Sequence, residues 1–300
     1  MSVVGETGRP FARSRRRMHR LRGLTDGMPA SVRLSLILLI SVAVVTVFAR
    51  WLVPFEFDQM DLRARLAPPL PLTGFDWAHP LGTDKLGRDV LSRLMIATQT
   101  SILLALLGTA IGAVLGTLLG FVAAHFRGWL DEFISAMVDF QAAMPWFIIA
   151  LAILAFMGNS MPVFLLLMGL YGWERYARIT RGLVLAAREQ GYARAVEALG
   201  GRPSVIYRRH VLPNIMSPLI VQLTINFPET ILFETSLSFL GLGIRPPMTS
   251  LGQMLGEGRD YLVTAWWLAV VPGTMIFLTT LSMSIFGDWL RTRFDPSLQD

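Results

Sequence analysis

The sequence predicts an all-α integral membrane protein with six transmembrane helices and both termini on the cytoplasmic side. Three observations carry this reading. Hydrophobic residues make up 53% of the 300 residues and charged residues only 16%, against roughly 25% charged in soluble domains, and mean hydropathy is +0.52. The apolar residues gather into runs long enough for bilayer spans of ~20 residues each. The basic residues fall between those runs in alternating rich and poor segments. A soluble enzyme, a disordered protein and a disulfide-stapled secreted domain are excluded. The absence of cysteine also removes any thiol nucleophile or cysteine metal site.

The elements follow in order. Residues 1–33 form a basic tail containing Ser14-Arg15-Arg16, and 34–53 form the first span. A cleaved signal peptide would need a small-x-small site after the apolar run. The run ends instead at Arg50-Trp51-Leu52-Val53-Pro54, which favours a retained span. A polar connection, 54–97, carries the breakers Pro68-Pro69-Leu70-Pro71 and Thr73-Gly74. The stretch 94–124 is uncharged and holds Gly108, Gly112, Gly116 and Gly120 at every fourth position. Such a stripe lets another helix approach closely, and packing within the chain is preferred over a dimer seam.

A third span is expected near 133–157, and a fourth from Pro162 to about 180. A fifth, about 215–240, is expected to be interrupted by Pro218 and Pro228, and a sixth covers 262–286. Between the fourth and fifth lies an Arg-rich segment, with a loop at 182–214. The tail is 289–300, and 98–288 form the core. With the N-terminus inside, inner segments hold nineteen basic residues and outer ones seven, with Arg50 at a span end. This asymmetry sets the orientation. Basic residues dispersed between apolar runs argue against a nucleic-acid interface.

No catalytic constellation emerges. The only lysine, Lys85, is followed by Leu86, so a phosphate-binding P-loop is excluded, and His19, His79, His125 and His210 are too scattered for an HExxH zinc site. Asp139, Glu229 and Glu234 fall within spans, where charge is costly. They are candidates for a substrate path or proton relay, or else each is a structural partner of an arginine. Tyr192-Ala193-Arg194-Ala195-Val196-Glu197-Ala198-Leu199 reads as a two-turn helix stopped by Gly200-Gly201. It is either a solvated loop helix or one that docks in a partner's groove.

That helix, continued by Ile206-Tyr207-Arg208-Arg209-His210-Val211-Leu212-Pro213-Asn214, resembles the cytoplasmic "EAA" signature of ABC importer permeases. Ala195, Gly200, Leu212 and Pro213 match in type and spacing. His79-Pro80-Leu81-Gly82-Thr83-Asp84-Lys85-Leu86-Gly87-Arg88-Asp89-Val90-Leu91-Ser92-Arg93 resembles the segment before the second span of one branch. So does Leu237-Ser238-Phe239-Leu240-Gly241-Leu242-Gly243 with Pro246-Pro247, Gly287-Asp288 and Asp295-Pro296. The chain is thereby similar to the C-type permease of dipeptide, oligopeptide and nickel importers. Arg194 replaces the signature glutamate, with Glu197 one turn later. Leu251 stands where tryptophan is usual, and Thr292 where aspartate is usual.

The resemblance implies a type I ABC importer permease fold in a bacterial inner membrane. It implies a heterodimer with a second homologous permease, two ATPase subunits and a periplasmic binding protein, with ATP and Mg bound by the ATPases and no cofactor on this chain. Tyr192, Arg194, Ala195, Val196, Glu197, Ala198, Leu199, Gly200, Leu212 and Pro213 would form the ATPase-docking region. The cargo would be a di- or oligopeptide, with a nickel complex or another small solute as alternative. A proton-coupled secondary transporter using the three acids is the competing class.

Overall fold

The structure, a computed structural model, describes residues 28–74, 76–189 and 211–294. Nine α-helices occupy them: α1 (Ala30–Leu52), α2 (Val90–Phe126), α3 (Gly128–Ala143), α4 (Trp146–Met157), α5 (Met161–Gly169), α6 (Trp173–Glu189), α7 (Leu212–Phe239), α8 (Leu251–Gly258) and α9 (Trp267–Phe294). Among the described residues the only β pairing is a single bridge between Thr83 and Asp89. Four helices, α1, α2, α7 and α9, are long and apolar enough to cross a membrane, and the bent pair α3–α4 makes up to five.

α2 begins at Val90, inside the segment expected to be a connection, because the Asp89 carboxylate accepts from the Ser92 backbone N–H at 2.7 Å and caps it. Its 37 residues span ~56 Å at 1.5 Å each, well beyond a ~30 Å hydrocarbon core, so its first turns stand outside the bilayer. The glycine stripe faces into the chain. A Cβ on Gly120 would lie 2.5 Å from the carbonyl oxygen of Ala177, and one on Gly116 would run into that of Trp173. Gly108 and Gly112 meet Met168 and Gly169 in the same register. α2 therefore runs parallel to α5 and α6 with their backbones nearly touching.

Four expected spans take a different form. The third is broken: α3 and α4 meet at a 90° bend. Pro145 has no N–H to donate and forces Met144 out of the helical region, to φ −91° and ψ 139°. The fourth is divided between α5 and α6 at Gly172, whose φ of +81° a residue with a Cβ resists. The side chain of Asn226, on α7, presses against that bend. The fifth is less interrupted than expected, since α7 continues through both Pro218 and Pro228. The sixth starts at Trp267, preceded by a turn in which Ala265 N–H donates to Tyr261 at 2.7 Å.

The connections segregate by end. Asn159, after α4, donates to the carbonyl of Gly243, after α7. Trp267 Nε1 donates to the carbonyl of Thr83 at 3.3 Å, joining the start of α9 to the connection before α2. The loops after α1, α4 and α7 thus share one end. The ends of α2, α6 and α9 lie at the other. α1 covers one side, packing on α2 and α9, where Gln99 donates to the carbonyl of Thr46 at 2.6 Å. Leu34, Ile37, Ile40, Val47 and Trp51 on its far side are exposed, as suits lipid.

Candidate functional site

An open groove runs between α7 and α9. The part nearer the loop after α7, about 610 Å³, is bordered by Leu232, Ser236, Phe239, Leu255, Phe277 and Thr280. A second cavity of about 330 Å³ shares Leu232, Phe277 and Thr280 and extends past Glu229 to Asp288. The two form one channel-like depression toward the end where α9 finishes. Its hydroxyls spend their protons on their own helices: Ser236 Oγ donates to the carbonyl of Leu232 at 2.7 Å, and Thr280 Oγ1 to that of Ile276 at 2.8 Å. What faces the groove is apolar surface with a few acceptor oxygens, suited to the passage of a solute and holding no nucleophile beside a base.

The three acids expected in the path separate. Glu229 alone lines the groove, and Arg175 of α6 donates to its carboxylate. Asp139 lies on α3, exposed, 3.0 Å from Arg178. Glu234 is fully buried on the opposite side of α7, where Ser238 Oγ donates to its Oε1 at 2.7 Å. A chain of proton carriers through the three is not assembled. For Asp139 and Glu229 the structural pairing with an arginine is the one observed.

Those pairings belong to a feature that sequence reading missed. Arg175, Arg178 and Arg181 recur every third residue along α6 and reach Glu229 on α7, then Asp139 and Asp131 on α3. The last pair is bidentate, at 2.5 and 2.7 Å, the stronger geometry for a guanidinium. Alongside, Gln141 donates to the carbonyl of Leu170 at 2.7 Å and accepts from Trp173 Nε1 at 2.5 Å. These bonds tie the two broken spans together at the bends. The spacing of the arginines was a visible signal, but their partners lie up to 54 residues away.

A second cluster sits at the end shared by the loops after α1, α4 and α7. Asp84 Oδ2 accepts from Arg88 Nε and from Arg93 Nη1, each at 2.6 Å, and Arg93 also donates to Glu257 at 3.1 Å. His79 Nδ1 lies 3.0 Å from Asp89 Oδ1. The charged residues of the 79–93 motif thereby fold the outer connection onto α2 and α8.

Of the expected ATPase-docking residues, Tyr192, Arg194, Ala195, Val196, Glu197, Ala198, Leu199 and Gly200 lie outside the described residues. Leu212 and Pro213 are at the first turn of α7; Leu212 packs against a buried cluster of Tyr176, Val184, Val211 and Ile215, while Pro213 is exposed.

Residues 116–300 match the family described as binding-protein-dependent transport system inner membrane component. The chain belongs to this family. As a member it is a multi-pass membrane permease of an importer, which accounts for a groove without catalytic groups. It is 34% identical over 265 residues, 88% of each chain, to the di/tripeptide transport system permease protein of Pseudomonas aeruginosa. It is 33% identical over 278 residues, 93% of this chain and 90% of the relative, to the glutathione transport system permease protein of Pectobacterium atrosepticum. The inward-facing MetNI methionine ABC transporter shares the fold, with a TM-score of 0.53 at 20% identity, over 68% of this permease and 97% of that chain. The all-helical type I permease architecture is therefore the one expected from sequence.

Proposed function

We propose that the chain is one half of a heterodimeric permease that carries di- or oligopeptides inward across a bacterial inner membrane. A periplasmic binding protein delivers the peptide, a homologous second permease completes the path, and two ATPase subunits bind and hydrolyse ATP with Mg. The observation that carries this reading is the similarity to peptide and glutathione permeases over about nine-tenths of the chain. The groove supports it, since exposed Leu232 on α7, Leu240 just after it and Phe277 on α9 suit a second subunit closing the open side.

In this reading the chain crosses six times, α3–α4 and α5–α6 each serving as one broken span, with both termini cytoplasmic. The helix 192–201 docks on an ATPase, and Leu212 anchors its return to α7. The substrate path is kept for Glu229 and the α7–α9 groove, without Asp139 and Glu234.

The test is reconstitution of the chain with its second permease, ATPases and binding protein in proteoliposomes. Labelled dipeptide should accumulate only with ATP and binding protein present. Uptake by the lone chain under a proton gradient would establish the secondary-transporter class instead.

A further inference from the structure

At the outer end of the groove, α8 is wedged between α7 and α9. Its glycines set how deeply it sits. A Cβ on Gly252 would come within 2.8 Å of Thr235 Cα, one on Gly256 within 2.8 Å of the Phe239 carbonyl oxygen, and one on Gly258 within 2.5 Å of that of Leu268. Leu255, from the same helix, forms part of the groove wall. Whatever moves α8 changes the mouth of the groove.

Two different anchors hold it. At its C-terminal end Glu257 is bound by Arg93, itself held by Asp84. At its N-terminal end the Leu251 backbone N–H donates to Ser101 Oγ of α2 at 3.1 Å, and Ser250 caps the first turn through Gln253 N–H at 3.3 Å. Ser101 and Ser250 both approach the carboxyl of Glu234, the fully buried acid that no ion pair satisfies among the described residues. Glu234 therefore stands where α2, α7 and α8 meet, with Ser238 donating to Oε1 at 2.7 Å and the hydroxyls of Ser101, Ser250 and Thr235 around the carboxyl. Burying a carboxyl is costly unless polar groups meet it, and here the groups that meet it come from α2, α7 and the cap of α8.

We propose that α8 is the outer stop of the groove and that Glu234 is a positioning residue, locking α8 to α2 and α7 so that the mouth opens only when these helices part together. The proposal rests on the reading of the groove as the transport path. Its consequence is tight coupling: an outer stop that cannot fluctuate alone admits no solute without an ATP-driven movement of the whole bundle.

The natural absence of cysteine allows a direct test. Leu255→Cys is placed in the otherwise unchanged chain within the assembled importer, and its reaction with a membrane-impermeant maleimide added from the outer side is followed without nucleotide, on this chain's band. Adding Glu234→Ala should speed labelling by about tenfold, as expected when one or two buried hydrogen bonds are lost. Peptide moved per ATP hydrolysed should fall severalfold in the same variant. Glu257→Gln and Ser101→Ala loosen α8 from separate anchors and should speed labelling too, which decides the matter if Glu234→Ala does not accumulate. Labelling unchanged in every variant that accumulates normally would overturn the proposal. Labelling that rises as expected while the complete importer moves no peptide would leave the outer stop standing and remove the peptide reading.

Discussion

Arg93 of α2 and Glu257 of α8, 164 residues apart in the chain, lie 3.1 Å from each other, with Asp84 bound to the same guanidinium at 2.6 Å. Arg93 is only 3% exposed, and with Arg88 it bridges the two carboxylates and fastens the connection before α2 to the last third of the protein. Removing Arg93 would leave Arg88, 2.6 Å from Asp84 and 3.4 Å from Glu257, as the remaining counter-charge to both acids.

Arg93→Ala should destabilise the permease by on the order of 3 kcal/mol, the low end for a broken buried pair, since Arg88 still faces both acids and water reaches Glu257. That corresponds to an apparent Tm lowered by about 6–12 °C. Glu257→Gln, which keeps an acceptor for Arg93, should cost about half as much. Thermal unfolding of the detergent-solubilised protein measures both, and equal effects of the two variants would mean that charge is not what Arg93 supplies.

Two glycines on facing helices should behave oppositely. A Cβ on Gly116 runs into the backbone of α6, whereas one on Gly182 meets nothing within 4 Å. Gly116→Val should destabilise by about 3 kcal/mol, the upper range for overpacking, and lower membrane abundance. Gly182→Ala should be neutral or stabilise by up to ~1 kcal/mol through helix propensity. Abundance and unfolding temperature report both, and tolerance of Gly116→Val would require α2 and α6 to separate.

These contrasts show which features a sequence displays. The glycine stripe was legible because small residues every fourth position have one strong physical use, and the long apolar runs were legible for the same reason. The breaks were not. Around Met144 and Pro145 the composition stays apolar on both sides, so hydropathy alone runs straight through a 90° bend. Pro218 and Pro228 misled in the other direction, because a helix packed among neighbours keeps its course where an isolated one would break. At the candidate site, the acids could be found by type, but their faces could not. Five residues separate Glu229 from Glu234, which turns one toward the groove and the other into the junction of three helices. Asp84, Arg93 and Glu257 became a unit only through contacts that no local pattern encodes.

Topology is testable directly. The loops after α1, α4 and α7 share one end of the bundle, and the basic residues concentrate in the segments assigned to the other. A reporter fused after Asp300 should be active only in the cytoplasm, and one inserted near Thr73 only in the periplasm. A cytoplasmic signal at Thr73 would contradict both the charge asymmetry and the six-span reading.

The last prediction concerns energy coupling through the segment 192–201. Ala195 and Ala198 are three apart, which would place them on one face of the short helix expected there. In the proposed docking, small side chains on that face would let the helix sink into a groove on the ATPase. A helix of two turns is marginal alone and gains its stability from what it docks against. Enlarging Ala195 to Trp should hold the helix out of that groove without disturbing the spans. Ala195→Trp is therefore expected to reach normal abundance and pair with the second permease, yet lose ATPase association or transport. Arg194→Glu, which restores the charge usual at that position, should be milder unless the ATPase presents an acidic partner for Arg194. ATPase co-purification measured beside peptide uptake, at matched membrane levels, separates these outcomes. Full uptake by Ala195→Trp would make the segment a passive loop and place the coupling contact elsewhere on the cytoplasmic face.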